Sequence, residues 1–244
     1  MKELFDLLTD DIVFEEAVKY FGDKLPVTAS EFYKLEEEYK SLAFTVSGYT
    51  SIQIINKFHD ELLESIEQGR TMKDFRDRMN DFLERRGYEG ITNFQADNVF
   101  RTNIQTAYQV GHYQQMRSPT VMKLRPYWMY DAVKDSKTRP SHLAMDGKVY
   151  RADDPIWDTW YPPNGFRCRC TVKTLSERQL KERGLKVETE PPISAQVNGH
   201  HVNVLPDPSF STNPAKHAFN PDVSNYPKSM KKAFENREKR KSKE

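Results

Sequence analysis

Residues 125–176 read RPYWMYDAVKDSKTRPSHLAMDGKVYRADDPIWDTWYPPNGFRCRCTVKTLS, and two textures alternate within them. The segments "RPYWMYDAV" (125–133), "GKVYRADD" (147–154) and "CRCTVKTL" (168–175) carry the aromatic and β-branched residues of strands. Between them "SKTRPS", "MDG" and "YPPNG" each hold a Pro, Gly or Asx residue that sets the chain direction. Strands this short, joined by turns, predict a small and mostly antiparallel α+β module. "SERQLKERG" (176–184) adds a short capped helix behind it, and "QVNGHHVNV" (196–204) offers Asn198 and Gly199 as the central residues of a hairpin turn.

Upstream the period changes from two to three or four. In "ASEFYKLEEEYKSLAF" (29–44) Phe32, Leu35, Tyr39 and Leu42 line one face of a helix with Ser30 as its N-cap. "TSIQIINKFHDELLESIEQG" (50–69) repeats the pattern with Ile52, Ile55, Leu62 and Ile66 between a Thr50 or Ser51 cap and Gly69. "TMKDFRDRMNDFLERRG" (71–87) does so again with Met72, Phe75, Met79 and Phe82 between Thr71 and Gly87. Helices apolar on one face are not stable alone, so these predict a bundle. A longer helix follows through "TNFQADNVFRTNIQTAYQVGHYQQM" (92–116), capped by Thr92 or Asn93, with Phe100, Ile104, Ala107 and Gly111 on one face. Its Arg101, Asn103, Gln105, Gln109, His112 and Gln114 suit either a contact surface or an ordinary solvated face.

After Leu205 come Pro206, Pro208, Pro214, Pro221 and Pro227, too frequent for a helix or a central strand. The expected organisation is therefore a helical region over 1–90, the α+β module over 91–190, and an extended Pro-rich segment with a basic tail over 191–244.

Of the 244 residues 30% are charged and 37% hydrophobic, and 12% are aromatic, which together describe a polar, folded chain. No apolar run reaches the length of a membrane span, and the acidic start "MKELFDLLTDD" has no signal-like n-region, so no membrane partner is expected. Two cysteines make no disulfide framework, as in a chain made in a reducing cytosol. A net charge of +1 hides a polarity: eleven acids oppose five lysines over residues 1–40, and eight bases oppose three acids over 228–244. The tail, with Lys231, Lys232, Lys239, Arg240 and Lys241, reads either as a solvated terminus or as a nucleic-acid contact weakened by salt.

The polar cluster of the opening stretch admits several readings. A disulfide between Cys168 and Cys170 would be strained, since two residues of strand advance about 6.6 Å with both side chains on one face. The same geometry suits two thiolates on one zinc ion, with His142 giving a nitrogen and Asp146, Asp131 or water completing a tetrahedron. Against this, one Cys-x-Cys with one distant His is a weak signature, and two small residues packing a short sheet, with Arg167 and Arg169 on its other face, explain it as well. Asp131, Asp135, His142 and Asp146 are also the residue types of a metal-dependent nuclease acting on DNA, although no spacing defines a site. Turn chemistry accounts for the same acids: Asp135 with Ser136 opens one turn, Asp146 with Gly147 makes another, and Arg139 pairs with a nearby carboxylate.

The order of these elements is familiar as a whole. "FRTNIQTAYQVGHYQQM", then Asp-x-x-x-Asp-x-x-x-Arg, Pro-Ser-His, Asp-Gly-Lys and Pro-Pro-Asn-Gly-x-x-Cys-x-Cys, closely resembles the phage Mu F-like family of minor head, or head morphogenesis, proteins. The resemblance is dense from Phe100 to Ser176, and "FTVSG" and "IEQGRTMKDFRDRM" look like the family's upstream region. "FSTNPAKHAF" is similar to its Asn-Pro-Gly segment, but Ala215 stands where glycine is expected, which argues against a tight positive-φ turn there. The resemblance implies a structural virion component and not an enzyme, made in the bacterial cytoplasm and built into the head in few copies during procapsid assembly. It further implies the portal vertex as its place, with the portal protein, capsid or scaffold proteins and packaged double-stranded DNA as partners.

Overall fold

The computed structural model describes residues 14–216, 218 and 223–242. The acids Glu3, Asp6, Asp10 and Asp11 of the front, and Lys243 and Glu244 of the tail, lie outside the described residues. The chain is an α+β protein whose described residues form two compact units, one from residues 14–100 with 223–242 and one from residues 101–218.

In the first unit, α1 (Glu15–Asp23) leads into β1 (Leu25–Pro26), which pairs in parallel with β2 (Ala43–Phe44). The connection differs from the single helix expected over 29–42: it is two one-turn helices, α2 (Ala29–Phe32) and α3 (Glu37–Lys40). The parallel pairing explains this. Ala43 must return beside Leu25, and a straight helix over 29–42 would carry the chain about 21 Å away. The cap is also Thr28 instead of Ser30, in a reciprocal box with Glu31.

The next two helices form where the periodicity places them. α4 (Ile52–Gln68) follows Ser51 and ends at Gly69, whose φ of 62° closes its C-terminus. α5 (Met72–Glu84) starts with Thr71 and Asp74 exchanging backbone and side-chain hydrogen bonds. Phe58 of α4 meets Phe75 of α5 with ring centroids 6.1 Å apart, and Ile55, Leu62, Phe75 and Met79 are buried.

The tail is the main departure. Where the Pro-rich composition suggests extended chain to the end, residues Lys228–Lys241 form a 14-residue helix, called α11 in chain order. Met230 and Tyr226 are buried in a cluster with Leu25, Leu35 and Leu42, and Ala233 and Phe234 pack against it. Pro227 immediately precedes the helix, where a missing N–H costs nothing, and Lys239, Arg240 and Lys241 lie at its negative end. Arg237 reaches the Asp23 carbonyl oxygen at 2.5 Å, and Arg240 pairs with Asp60 at 2.8 Å. Arg237 also lies 3.7 Å from the Asp23 carboxylate, so two of the tail's bases face acids of the chain's own first half.

α6 (Asn93–Met116) opens with Thr92 and Gln95 capping one another, and its residues from Arg101 onward belong to the second unit. After α7 (Pro119–Leu124) comes a three-stranded sheet in the order β4-β3-β5, where β3 (Tyr127–Asp131) pairs antiparallel with β4 (Val149–Arg151) and β5 (Thr171–Leu175). Alternation along β3 divides two cores. Trp128 and Tyr130 face an aromatic cluster with Tyr150, Trp157, Trp160, Tyr161 and Val172, while Tyr127 and Met129 pack with Val149, Leu175 and Leu180. α8 (Pro140–Met145) and α9 (Trp157–Trp160) lie in the strand connections, and α10 (Glu177–Arg183) runs from a Ser176–Gln179 capping box to Gly184. The hairpin of β6 (Ser194–Val197) and β7 (His200–Asn203) turns through Asn198 and Gly199, both at positive φ. Ala215 is not among the positive-φ residues; instead Asn213 Oδ1 accepts from its amide at 2.8 Å.

Candidate functional site

The second unit gathers three of the residues singled out in the sequence. His142 lies on α8, whose first turn begins with Pro140, and Cys168 and Cys170 lie on the chain entering β5. The cysteines are not inside the strand, as their spacing suggests, but just before it, after Arg167 turns the backbone at a φ of 55°. Their sulfurs converge nonetheless. His142 Nδ1 is 3.7 Å from Cys168 Sγ and 3.6 Å from Cys170 Sγ, and the three ligand atoms lie within 4.8 Å of one another. Exposure is 1% for His142, 4% for Cys168 and 1% for Cys170, and Trp160 meets the imidazole edge to face. The hydrogen bond from Cys170 and the imidazole beside it pull the Cys168 thiol well below the ordinary range, and the same contact raises Cys170. His142 Nε2 is buried with no hydrogen-bond partner, so Nδ1 is the engaged nitrogen.

The acids do not join this group. Asp146 accepts from the Ala132 amide at 3.0 Å and pairs with Lys134 at 2.8 Å, while Asp131 pairs with Lys173 at 2.7 Å. Asp135 takes both guanidinium nitrogens of Arg169 at 2.7 and 2.6 Å, and this fork holds its carboxyl far below the usual range. Arg139 finds its carboxylate in Asp207 at 2.8 Å, a residue 68 positions along the chain.

Four further residues surround the group. Asn164 of the Pro-Pro-Asn-Gly turn is wholly buried, accepts from the Tyr130 hydroxyl at 2.9 Å and donates to the Thr159 carbonyl at 3.2 Å. Gln109, assigned above to a contact or solvated face, is buried and donates to the Cys170 carbonyl at 3.3 Å, as does Gln105. Gly165 lies close against two side-chain ends: a Cβ there would lie 2.8 Å from Asp207 Cγ and 3.0 Å from Arg139 Cζ, so their ion pair would have to shift. Asn164 and Gly165 belong to the Pro-Pro-Asn-Gly motif, but turn chemistry alone reads that pair as an ordinary turn and not as a buried strut.

The five basic residues assigned to nucleic acid, Lys231, Lys232, Lys239, Arg240 and Lys241, are exposed on α11, with Arg240 engaged by Asp60. Among the described residues no helix is long and apolar enough to cross a membrane.

The family profile described as "Phage Mu protein F like protein" matches residues 56–173, which include His142, Cys168 and Cys170. The chain is 37% identical over 171 residues to "Mu-like prophage FluMu F protein" of Haemophilus influenzae, covering 65% of this chain and 41% of that protein. It is 29% identical over 245 residues to "Putative capsid assembly protein F" of Escherichia phage Mu, covering 85% of this chain and 55% of that one. The chain thus spans about half the length of the curated relatives it matches. No solved structure matches it. On the profile match and these two relatives, residues 56–173 of the chain form a phage Mu F-like region.

Proposed function

We propose that this chain is a structural head-assembly protein of a Mu-like phage or prophage, acting by contact with other head proteins. The observation that carries this reading is the similarity to the phage Mu protein named for capsid assembly, which extends over 85% of the chain. The finer reading places it at the portal vertex, where the helical region of residues 1–90 docks on the portal and α11 touches packaged DNA. Lys231, Lys232, Lys239 and Lys241, exposed on one helix, support the DNA contact. The test is a tagged chain expressed during phage growth. It should co-purify with mature heads, cross-link to the portal protein, and label a single vertex in electron micrographs. Heads that form and fill normally without the gene, and that never contain its product, would overturn the proposal.

For the DNA contact, reversing Lys231, Lys232, Lys239 and Lys241 to Glu should weaken duplex binding. The salt dependence should flatten by up to about 0.9 log units for each phosphate that the lysines no longer neutralise. Unchanged binding would remove DNA from the partners.

A nuclease acting on DNA is the reading from a different class. It needs carboxylates free to bind metal beside an accessible water, whereas Asp131, Asp135 and Asp146 are each taken up by a base and the Cys and His ligands are buried. A plasmid-nicking assay with magnesium, manganese or zinc separates the two. No nicking is expected; nicking that disappears in both His142→Ala and Asp146→Ala would make the chain an enzyme.

A further inference from the structure

We propose that His142, Cys168 and Cys170 hold one zinc ion, through Nδ1 and two thiolates, and that the ion clips α8 to the chain entering β5. Zinc binds thiolate sulfur at about 2.3 Å and imidazole nitrogen at about 2.0–2.1 Å, so tetrahedral angles separate sulfur from nitrogen by about 3.6 Å. The two separations here are 3.7 and 3.6 Å.

Packing and hydrogen bonding alone account for this less well. A neutral imidazole offers one acceptor lone pair, which takes one thiol proton. Nδ1 is instead nearly equidistant from both sulfurs, as it would be if all three atoms faced a common centre. The electrostatics agree. Two thiolates, a neutral imidazole and Zn²⁺ sum to zero charge, so the closed centre can lie among Tyr130, Trp160 and Tyr161 without leaving a bare charge in an apolar core. Sulfur and imidazole donors select a thiophilic ion over magnesium or calcium, which take oxygen.

Among the described residues no fourth Cys, His, Asp or Glu belongs to the group. Asp131 and Asp146, the carboxylates considered for that corner, are committed to Lys173 and Lys134. The clip spans 26 residues from His142 to Cys168, so its main effect is to close that loop in the folded state and stabilise the second unit.

The test uses the full chain, purified in reductant without a metal-affinity step. Elemental analysis should find about one zinc per chain. Cobalt exchanged into the site should show thiolate-to-cobalt charge-transfer absorption, and a strong chelator should lower the melting temperature. Cys168→Ser and Cys170→Ser should each reduce bound zinc by roughly tenfold or more. The proposal is overturned if wild-type protein, with both thiols reduced, carries no stoichiometric metal and melts identically with and without chelator. It is equally overturned if both serine variants keep their zinc, since the ion would then lie elsewhere. The wild-type metal content and cobalt spectrum decide the question even if a variant does not fold.

Discussion

The Tyr130 hydroxyl donates to Asn164 Oδ1 at 2.9 Å, with both side chains at 0% exposure. This bond ties the central strand to the Pro-Pro-Asn-Gly turn that leads into the cysteines. Tyr130→Phe leaves Asn164 Oδ1 buried without this donor and should cost about 1–3 kcal/mol. Asn164→Ala removes the acceptor and the amide that donates to backbone carbonyls, and it should cost more. Urea unfolding at fixed pH measures both, and an Asn164→Ala change smaller than that of Tyr130→Phe contradicts the assignment.

Gly165 is required by close approach and not by a left-handed backbone. Gly165→Ala pushes a methyl into the ion pair of Arg139 and Asp207, both partly exposed, so the expected cost is about 1 kcal/mol. In an Asp207→Ala background the same substitution should cost less, because the nearest obstructing atoms are gone. A penalty of equal size in both backgrounds would place the strain in the backbone.

Lys24 is buried, donating to the Ser41 carbonyl at 2.6 Å and the Tyr20 hydroxyl at 3.1 Å. Burial lowers its pKa to about 7. The unfolded chain keeps that proton up to about pH 10.4. Between these values the unfolded state binds more protons, so this group makes stability rise with pH; below pH 7 the full penalty applies. Unfolding free energy should increase by about 2 kcal/mol from pH 7 to 9 on this account, and Lys24→Met should flatten the profile. A wild-type profile as flat as the variant's would contradict the lowered value.

Met230, at 0% exposure, anchors α11 in the first unit. Met230→Ala should destabilise that unit by about 2–4 kcal/mol. Lys239→Ala and Lys241→Ala, both at exposed positions, should stay within about 0.5 kcal/mol. A solvated tail predicts no effect from any of the three, so thermal unfolding distinguishes the docked helix from extended chain.

Much of the fold is legible where the determining contacts are local. Thr71 with Asp74, Ser176 with Gln179 and Thr92 with Gln95 are three residues apart, and Gly69, Gly184 and the Asn198–Gly199 pair stop or turn the chain by their own conformational freedom. The residue types that gather around His142, and their order, are legible too. Partners are not. Asp146 and Asp131 fit a ligand shell by residue type, yet each meets a lysine first, and Arg139 finds Asp207 only after the intervening chain has folded. α11 is masked for a different reason: the prolines before it dominate the composition, while Met230, Ala233 and Phe234 show an apolar face only once there is a cluster for them to enter.

By itself the sequence determined the strand character of β3, the Gly69 stop of α4, the Thr71 start of α5, the bounds of α10, and the ordered motifs of the family, because each depends on neighbours within a few residues. Only the tertiary structure decided that the segment over 29–42 folds back as two turns, that Asn164 is a buried strut, and that two cysteines outside a strand still meet His142. Those outcomes depend on which distant groups compete for the same space and charge, and a linear pattern does not carry that competition.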